Sequence, residues 1–139
     1  MRRLVCLVAA LGGAAVLGAT STAGTNTASI LIRHQTHGCH TWSVGNGVFR
    51  ASQTVHLARG GTLTIVNDDV MPQPLFQKSG PKARTSGNSK LDKMGASVKV
   101  TFTKAGTYRF ATKAGEDYPG VKAPTVGEDN NLTLTVIVA

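Results

Sequence analysis

The stretch MGASVKVTFTKAGTYRFAT, residues 94–112, decides the fold class of this chain. On both sides of a turn at residues 104–106, apolar side chains alternate with polar ones. Alternation with a period of two is typical of strands that bury one face, and the short Gly-containing stretch between the two runs indicates a turn. The side chains predicted to face a core are Val98, Val100, Phe102, Tyr108 and Phe110.

The same alternation recurs before and after this stretch. It occurs in SILIRH at residues 29–34, in TVHLARGGTLTIVNDD at residues 54–69 and in NLTLTVIVA at residues 131–139. We expect a turn at Gly60 and Gly61, and a long surface loop over residues 78–93, which are polar and rich in Gly, Ser and Lys. Short alternating runs separated by turn residues predict an all-β protein, either an antiparallel sandwich or a barrel.

Residues 1–23 are predicted to be a signal peptide. Arg2 and Arg3 precede a short apolar run, and small residues then allow cleavage after Ala23. An uncleaved membrane anchor is the alternative, but a span needs roughly 20 apolar residues, and this run is short and interrupted by Gly. We therefore expect an extracytoplasmic protein of the cell envelope or periplasm, or a secreted one. Its flexible leader would be residues 24–28 and its single domain residues 29–139.

The chain is basic, with 15 Lys and Arg against 7 Asp and Glu. Its basic residues are scattered and few aromatic side chains are present to stack on bases, so nucleic-acid binding is not expected. Such a surface favours an anionic component of the cell envelope or a redox partner protein, or it only keeps the domain soluble. We expect a monomer with no membrane span in the mature chain.

No catalytic motif is present. The sequence has no nucleophile elbow, no HExxH and no phosphate-binding Gly loop. Glu116-Asp117 and Glu128-Asp129 are adjacent pairs, and neighbouring side chains of an extended segment point apart, so neither pair is suited to acid/base catalysis. We expect a protein that is not an enzyme.

Three of the four histidines surround a cysteine in HQTHGCH, residues 34–40. Removal of the signal peptide removes Cys6, so Cys39 has no partner for an intramolecular disulfide, although exported proteins usually pair their cysteines. Cys39 is then buried and inert, links two copies of the chain, or binds a metal. His37 and His40 beside it favour the metal, because imidazole and thiolate donors together suit copper or zinc.

The order of these motifs resembles that of a cupredoxin domain of the plastocyanin/azurin type. The resemblance lies in ARGGTLTIVNDDVMPQPLF, residues 58–76, followed by the alternating stretch at residues 94–112, a polar loop and a final Val-rich strand. It implies a Greek-key β-sandwich. It also implies copper ligands at a Pro-His and at a cysteine after Tyr-x-Phe-x, but this chain has Gln73 and Thr112 there. Residues 113–130 contain no His or Met, so an ordinary blue-copper centre is not expected.

The resemblance further implies that the segment between the first two strands reaches the same end of the sandwich as the usual ligand loops. We therefore predict an atypical copper site built from His37, Cys39, His40, Met71 and Gln73, with His34 and the pair Glu116-Asp117 as further candidates. The predicted function is copper binding for electron transfer or copper handling. The alternative is a metal-free envelope module that serves binding or structure.

Overall fold

The structure is a computed structural model that describes residues 24–34, 40–113 and 131–139. These residues form eight strands and no helix, so none of them forms a helix that could cross a membrane. The strands are β1 (Thr25–His34), β2 (His40–Val44), β3 (Ser52–Asn67), β4 (Leu75–Ser79), β5 (Arg84–Gly87), β6 (Ser97–Thr101), β7 (Gly106–Lys113) and β8 (Asn131–Val138).

The long strand β3 belongs to both layers of the sandwich. Its first half, from Ser52 to Leu57, pairs with β8, which continues the layer to β7 and β4. Its second half, from Thr62 onward, pairs with β1 on one side and β6 on the other, and β2 and β5 form the edges of that layer. The all-β, cupredoxin-like sandwich predicted from the sequence is therefore confirmed.

The turn expected at Gly60 and Gly61 is instead a bend within one strand. The Arg59 amide donates to the carbonyl of Ala139 beyond β8, whereas the Gly60 amide donates to the carbonyl of Phe102 beyond β6. Gly60 has a φ of 83°, a left-handed conformation that glycine adopts without steric cost. The two glycines thus let β3 change partners without reversing its direction, which a local pattern of turn residues does not reveal.

The sequence predicts an antiparallel sandwich, but two of the seven strand pairings among the described residues are parallel. These are the pairing of β1 with β3 and the pairing of β3 with β8. The first arises because β2 runs antiparallel to β1, and the chain reverses once more before β3 takes its place on the other side of β1. Residues 25–28, predicted as a flexible leader, belong to β1. The loop predicted at residues 78–93 contains the end of β4 and all of β5.

The predicted core is confirmed. The side chains of Val98, Val100, Phe102, Tyr108 and Phe110 are all buried, as are Leu134 and Val136 of β8. The Phe102 ring makes edge-to-face contacts with Tyr108 and Phe110, with centroids 4.8 and 6.1 Å apart. Burial of each such side chain contributes roughly 1.5–3 kcal/mol. Strand β6 pairs with β3 and β5, whereas β7 pairs with β4 and β8, so these side chains join the two layers across the core.

Three strand ends meet at one end of the sandwich. Ile32 of β1 lies beside Asn67, the last residue of β3, and the Asp68 amide donates to the Ile32 carbonyl at 2.8 Å. His34, the last residue of β1, pairs with His40, the first residue of β2. The loop after β3 is therefore placed directly against the end of β1 and the start of β2.

Candidate metal site

His40 is the buried centre of the candidate site. Its side chain is 0% exposed, and its Nδ1 lies 2.5 Å from Oδ2 of Asp69, which is also buried. The Nδ1–H group donates this bond and the carboxylate accepts it. A carboxylate held against one imidazole nitrogen fixes the ring orientation and is the usual outer partner of a histidine that ligates a metal through its other nitrogen.

The carboxylate of Asp69 is itself held in place by the loop that follows β3. Its Oδ1 accepts from the Met71 amide at 3.0 Å, and the Asp69 amide donates to Oδ1 of Asn67 at 3.0 Å. Asp69 is not predicted as a site residue from the sequence, because Asn67-Asp68-Asp69 is equally well explained as the polar end of a strand. Asp69 differs from its neighbour Asp68 in that its side chain is buried against His40.

His34 completes a group of three potential ligands, which we call the His/Asp cluster: His34, His40 and Asp69. One donor atom from each lies within 4.8 Å of the other two. Two donors bound to one ion at about 2.1 Å each are at most about 4.2 Å apart. The exposed His34 side chain, whose ring lies 5.7 Å from that of His40, would reach this geometry by a small rotation.

A cleft beside the cluster, which we call the His34 cleft, has a volume of about 410 Å³. It is lined by Arg33, His34, Asp68, Asp69, Val70, Met71 and Met94. Arg33 and Asp68 form an ion pair at 2.9 Å. The cleft gives a small ligand a route from solvent to His34 and Asp69.

The structure brings some of the predicted ligands together. His40 is in the cluster. Met71 lines the cleft, and its backbone amide donates to the carboxylate of Asp69, another member of the cluster. His37, Cys39 and the pair Glu116-Asp117 lie outside the described residues.

Gln73 does not line the cleft and makes a different contact. Its Oε1 accepts a hydrogen bond of 3.0 Å from the Thr112 hydroxyl, and both side chains are buried. Its Nε2 has no hydrogen-bond partner among the described residues. The two positions at which the resemblance implies a copper-binding histidine and cysteine therefore hold an amide bonded to a hydroxyl. Neither group is a strong copper donor, so these residues do not fit a blue-copper centre.

No protein-family model matches the chain, and no curated protein matches it. Among solved structures it is similar to an oxidised amicyanin variant, with 15% identity, a TM-score of 0.40, and coverage of 86% of this chain and 87% of that one. It is similar to a multi-copper oxidase from Pseudomonas thermotolerans, with 13% identity, a TM-score of 0.42, and coverage of 84% of this chain and 30% of that one.

A third similar structure is a cysteine protease inhibitor from Entamoeba histolytica, with 12% identity and a TM-score of 0.39. It covers 63% of this chain and 85% of that one. Because these identities and scores are low, the description of the fold as cupredoxin-like rests on the strand order and register of this chain.

Proposed function

We propose that this protein binds a copper ion at the His/Asp cluster and that it holds or transfers copper outside the cytoplasm. The observation that carries the proposal is the buried pair of His40 and Asp69, with a second imidazole, His34, beside it on the solvent side. A buried imidazole oriented by a carboxylate and an exposed imidazole that can close over it form a common arrangement for a transition metal.

The donor types narrow the choice of metal. Imidazole nitrogen suits copper and zinc, whereas magnesium and calcium prefer oxygen donors throughout. Cys39 and His37 fall in the connection between His34 and His40, and Cys39 directly precedes the buried histidine in sequence. A thiolate added to two imidazoles strengthens the preference for copper over most other divalent ions. We include Cys39 and His37 in the proposed site on this ground.

Copper handling is favoured over electron transfer through a blue-copper centre. Such a centre holds a thiolate and two imidazoles in a fixed trigonal arrangement, and the Gln73–Thr112 pair stands at two of its positions. In the His/Asp cluster, by contrast, one ligand is exposed and a cleft leads to it. An open site of this kind is suited to accept and release an ion.

The test is copper binding by variants of the mature protein. Equilibrium dialysis with Cu(II) should show one tightly held ion in the wild type, and His34→Ala and Asp69→Asn should each weaken binding by roughly tenfold to a hundredfold. His34 is exposed, so its removal leaves the core intact. His56→Ala is the matched control, because His56 is an exposed histidine of β3 that is not part of the cluster. Equal copper uptake by all four proteins would reject the proposal.

The second candidate is a metal-free envelope module, and the Gln73–Thr112 hydrogen bond favours it. That bond occupies the usual copper position with protein groups that need no ion. On this hypothesis the His40–Asp69 pair only stabilises the end of the sandwich. Copper would then leave the thermal unfolding midpoint unchanged, whereas an ion that binds only the folded state raises it.

A further inference from the structure

The His34 cleft contains both methionines of the described residues, Met71 and Met94. They are 23 positions apart in sequence and lie on different loops, one after β3 and one before β6. Met94 is 55% exposed, although burial of its side chain would be favourable. Met71 and Met94 therefore line one cleft together with His34, and the side chain of Met94 is exposed to solvent.

A single buried residue is hydrogen-bonded to both loops through its side chain and its backbone. Asn67, which is 0% exposed, donates from Nδ2 to the Met71 carbonyl at 2.9 Å. Its backbone carbonyl accepts from the Gly95 amide at 2.7 Å, and its amide donates to the Ala96 carbonyl at 2.9 Å. The backbone on either side of the cleft is thus anchored to the same residue. The hydrogen bonds of Asn67 therefore place both methionines at the same cleft.

Thioether sulfur distinguishes between oxidation states of copper. It is a soft neutral donor that binds Cu(I) well, whereas Zn²⁺ and other borderline ions prefer imidazole, thiolate and carboxylate. Val70, the other apolar residue of the cleft, is 60% exposed, so Met94 and Val70 both present apolar side chains to the solvent there. Of the two, only Met94 carries a donor atom that a soft ion can use.

We propose that the His34 cleft is a Cu(I) site, with the thioethers of Met71 and Met94 and the imidazole of His34 as donors. This proposal rests on the proposed copper function and specifies that the protein accepts the metal as Cu(I). His34 is shared with the His/Asp cluster, so a cuprous ion that enters between the methionines is already bound to one of the histidines of the buried site.

The experiment measures Cu(I) and Zn(II) binding separately. Under anaerobic conditions with ascorbate, bicinchoninate competes for Cu(I) against wild type, Met71→Leu, Met94→Leu and the control Val70→Leu. Leucine keeps the volume and removes the sulfur. Each methionine variant should lose at least about tenfold in Cu(I) affinity and keep its Zn(II) affinity, and Val70→Leu should change neither. The series is repeated with Cys39→Ser, so that a thiolate does not mask the thioethers.

A spectroscopic readout supports the affinities. In protein labelled at the methionine methyl groups, Ag(I), a redox-inert analogue of Cu(I), should shift the resonances of Met71 and Met94, and Zn(II) should not. Unchanged Cu(I) affinity in both methionine variants, with copper binding through His34 intact, would overturn this inference alone. If His34→Ala also binds Cu(II) and Cu(I) like the wild type, the proposed function fails as well.

Discussion

Gln73 and Thr112 are joined by a hydrogen bond of 3.0 Å between two buried side chains of the same layer. Gln73 precedes β4 and Thr112 lies in β7, and these strands pair next to the bond, at Leu75 and Thr112. The bond therefore closes the space in which the cupredoxin resemblance implies copper. The candidate metal site lies instead around His40, between the paired ends of β1 and β2 and the loop after β3.

Loss of the Thr112 hydroxyl should destabilise the protein. Thr112→Val keeps the shape but leaves the buried Gln73 amide without its donor, which should cost about 1–3 kcal/mol in urea unfolding. Gln73→Leu combined with Thr112→Val should cost less than the sum of the two single changes, because the double variant has no unpaired polar group. Thr107→Val, at an exposed position of the same strand, should change stability by less than about 0.5 kcal/mol. Additive single and double effects would show that the bond contributes nothing.

Phe110 should be essential to the core. It is 2% exposed and contacts the Phe102 ring, so Phe110→Ala should lower the free energy of unfolding by about 3–5 kcal/mol. Phe76→Ala is the matched control: Phe76 lies on the edge strand β4 and is 49% exposed. Its replacement should cost far less. Similar losses from both changes, measured by chemical denaturation, would mean that β7 does not contribute its apolar face to the core.

The reactivity of Cys39 should depend on metal. A metal-bound thiolate is protected from alkylation, so iodoacetamide should label Cys39 slowly in copper-loaded protein and rapidly after chelation. Cys39→Ser should weaken copper binding, because a hydroxyl replaces the one anionic soft donor of the proposed site. Mass spectrometry gives the labelled fraction. Equal labelling with and without copper would remove Cys39 from the site and leave the His/Asp cluster to bind the ion.

The exported protein should begin at Gly24 or within a few residues of it. The charged start, the short apolar run and the small residues before position 24 predict this cleavage. Intact-mass measurement of protein recovered from the cell envelope or the medium checks it. A mass that still includes residues 1–23 would indicate an anchored protein.

The strands with one buried face could be predicted from sequence, because alternation is a local property. Val98, Val100 and Phe102 face inward by the same rule that leaves Lys99 in water. The edge strand β5 could not be predicted in this way, because Arg84–Gly87 is exposed at every position and shows no alternation. The partner change at Gly60 was equally invisible, since it depends on which strands lie on each side of β3.

Only those residues of the site that are close together in sequence could be predicted. His40 stands out because it lies in a cluster of histidines around a cysteine. Asp69 does not, because its role comes from a contact across 29 residues with that histidine. The place of Met94 in the cleft is a consequence of the hydrogen bonds that Asn67 makes to the loops on both sides. Donors supplied by tertiary contacts carry no mark in the sequence.

The sharing of β3 between both layers has a consequence for how the chain is made. Ser52 of β3 and Thr133 of β8 are hydrogen-bonded although 81 residues separate them, and the first half of β3 pairs with β8. The layer formed by the first half of β3 with β8, β7 and β4 therefore cannot assemble until β8 has been synthesised. Folds governed by such distant pairings form slowly. A nascent chain that lacks residues 131–138 therefore leaves the first half of β3 without the strand that pairs with it.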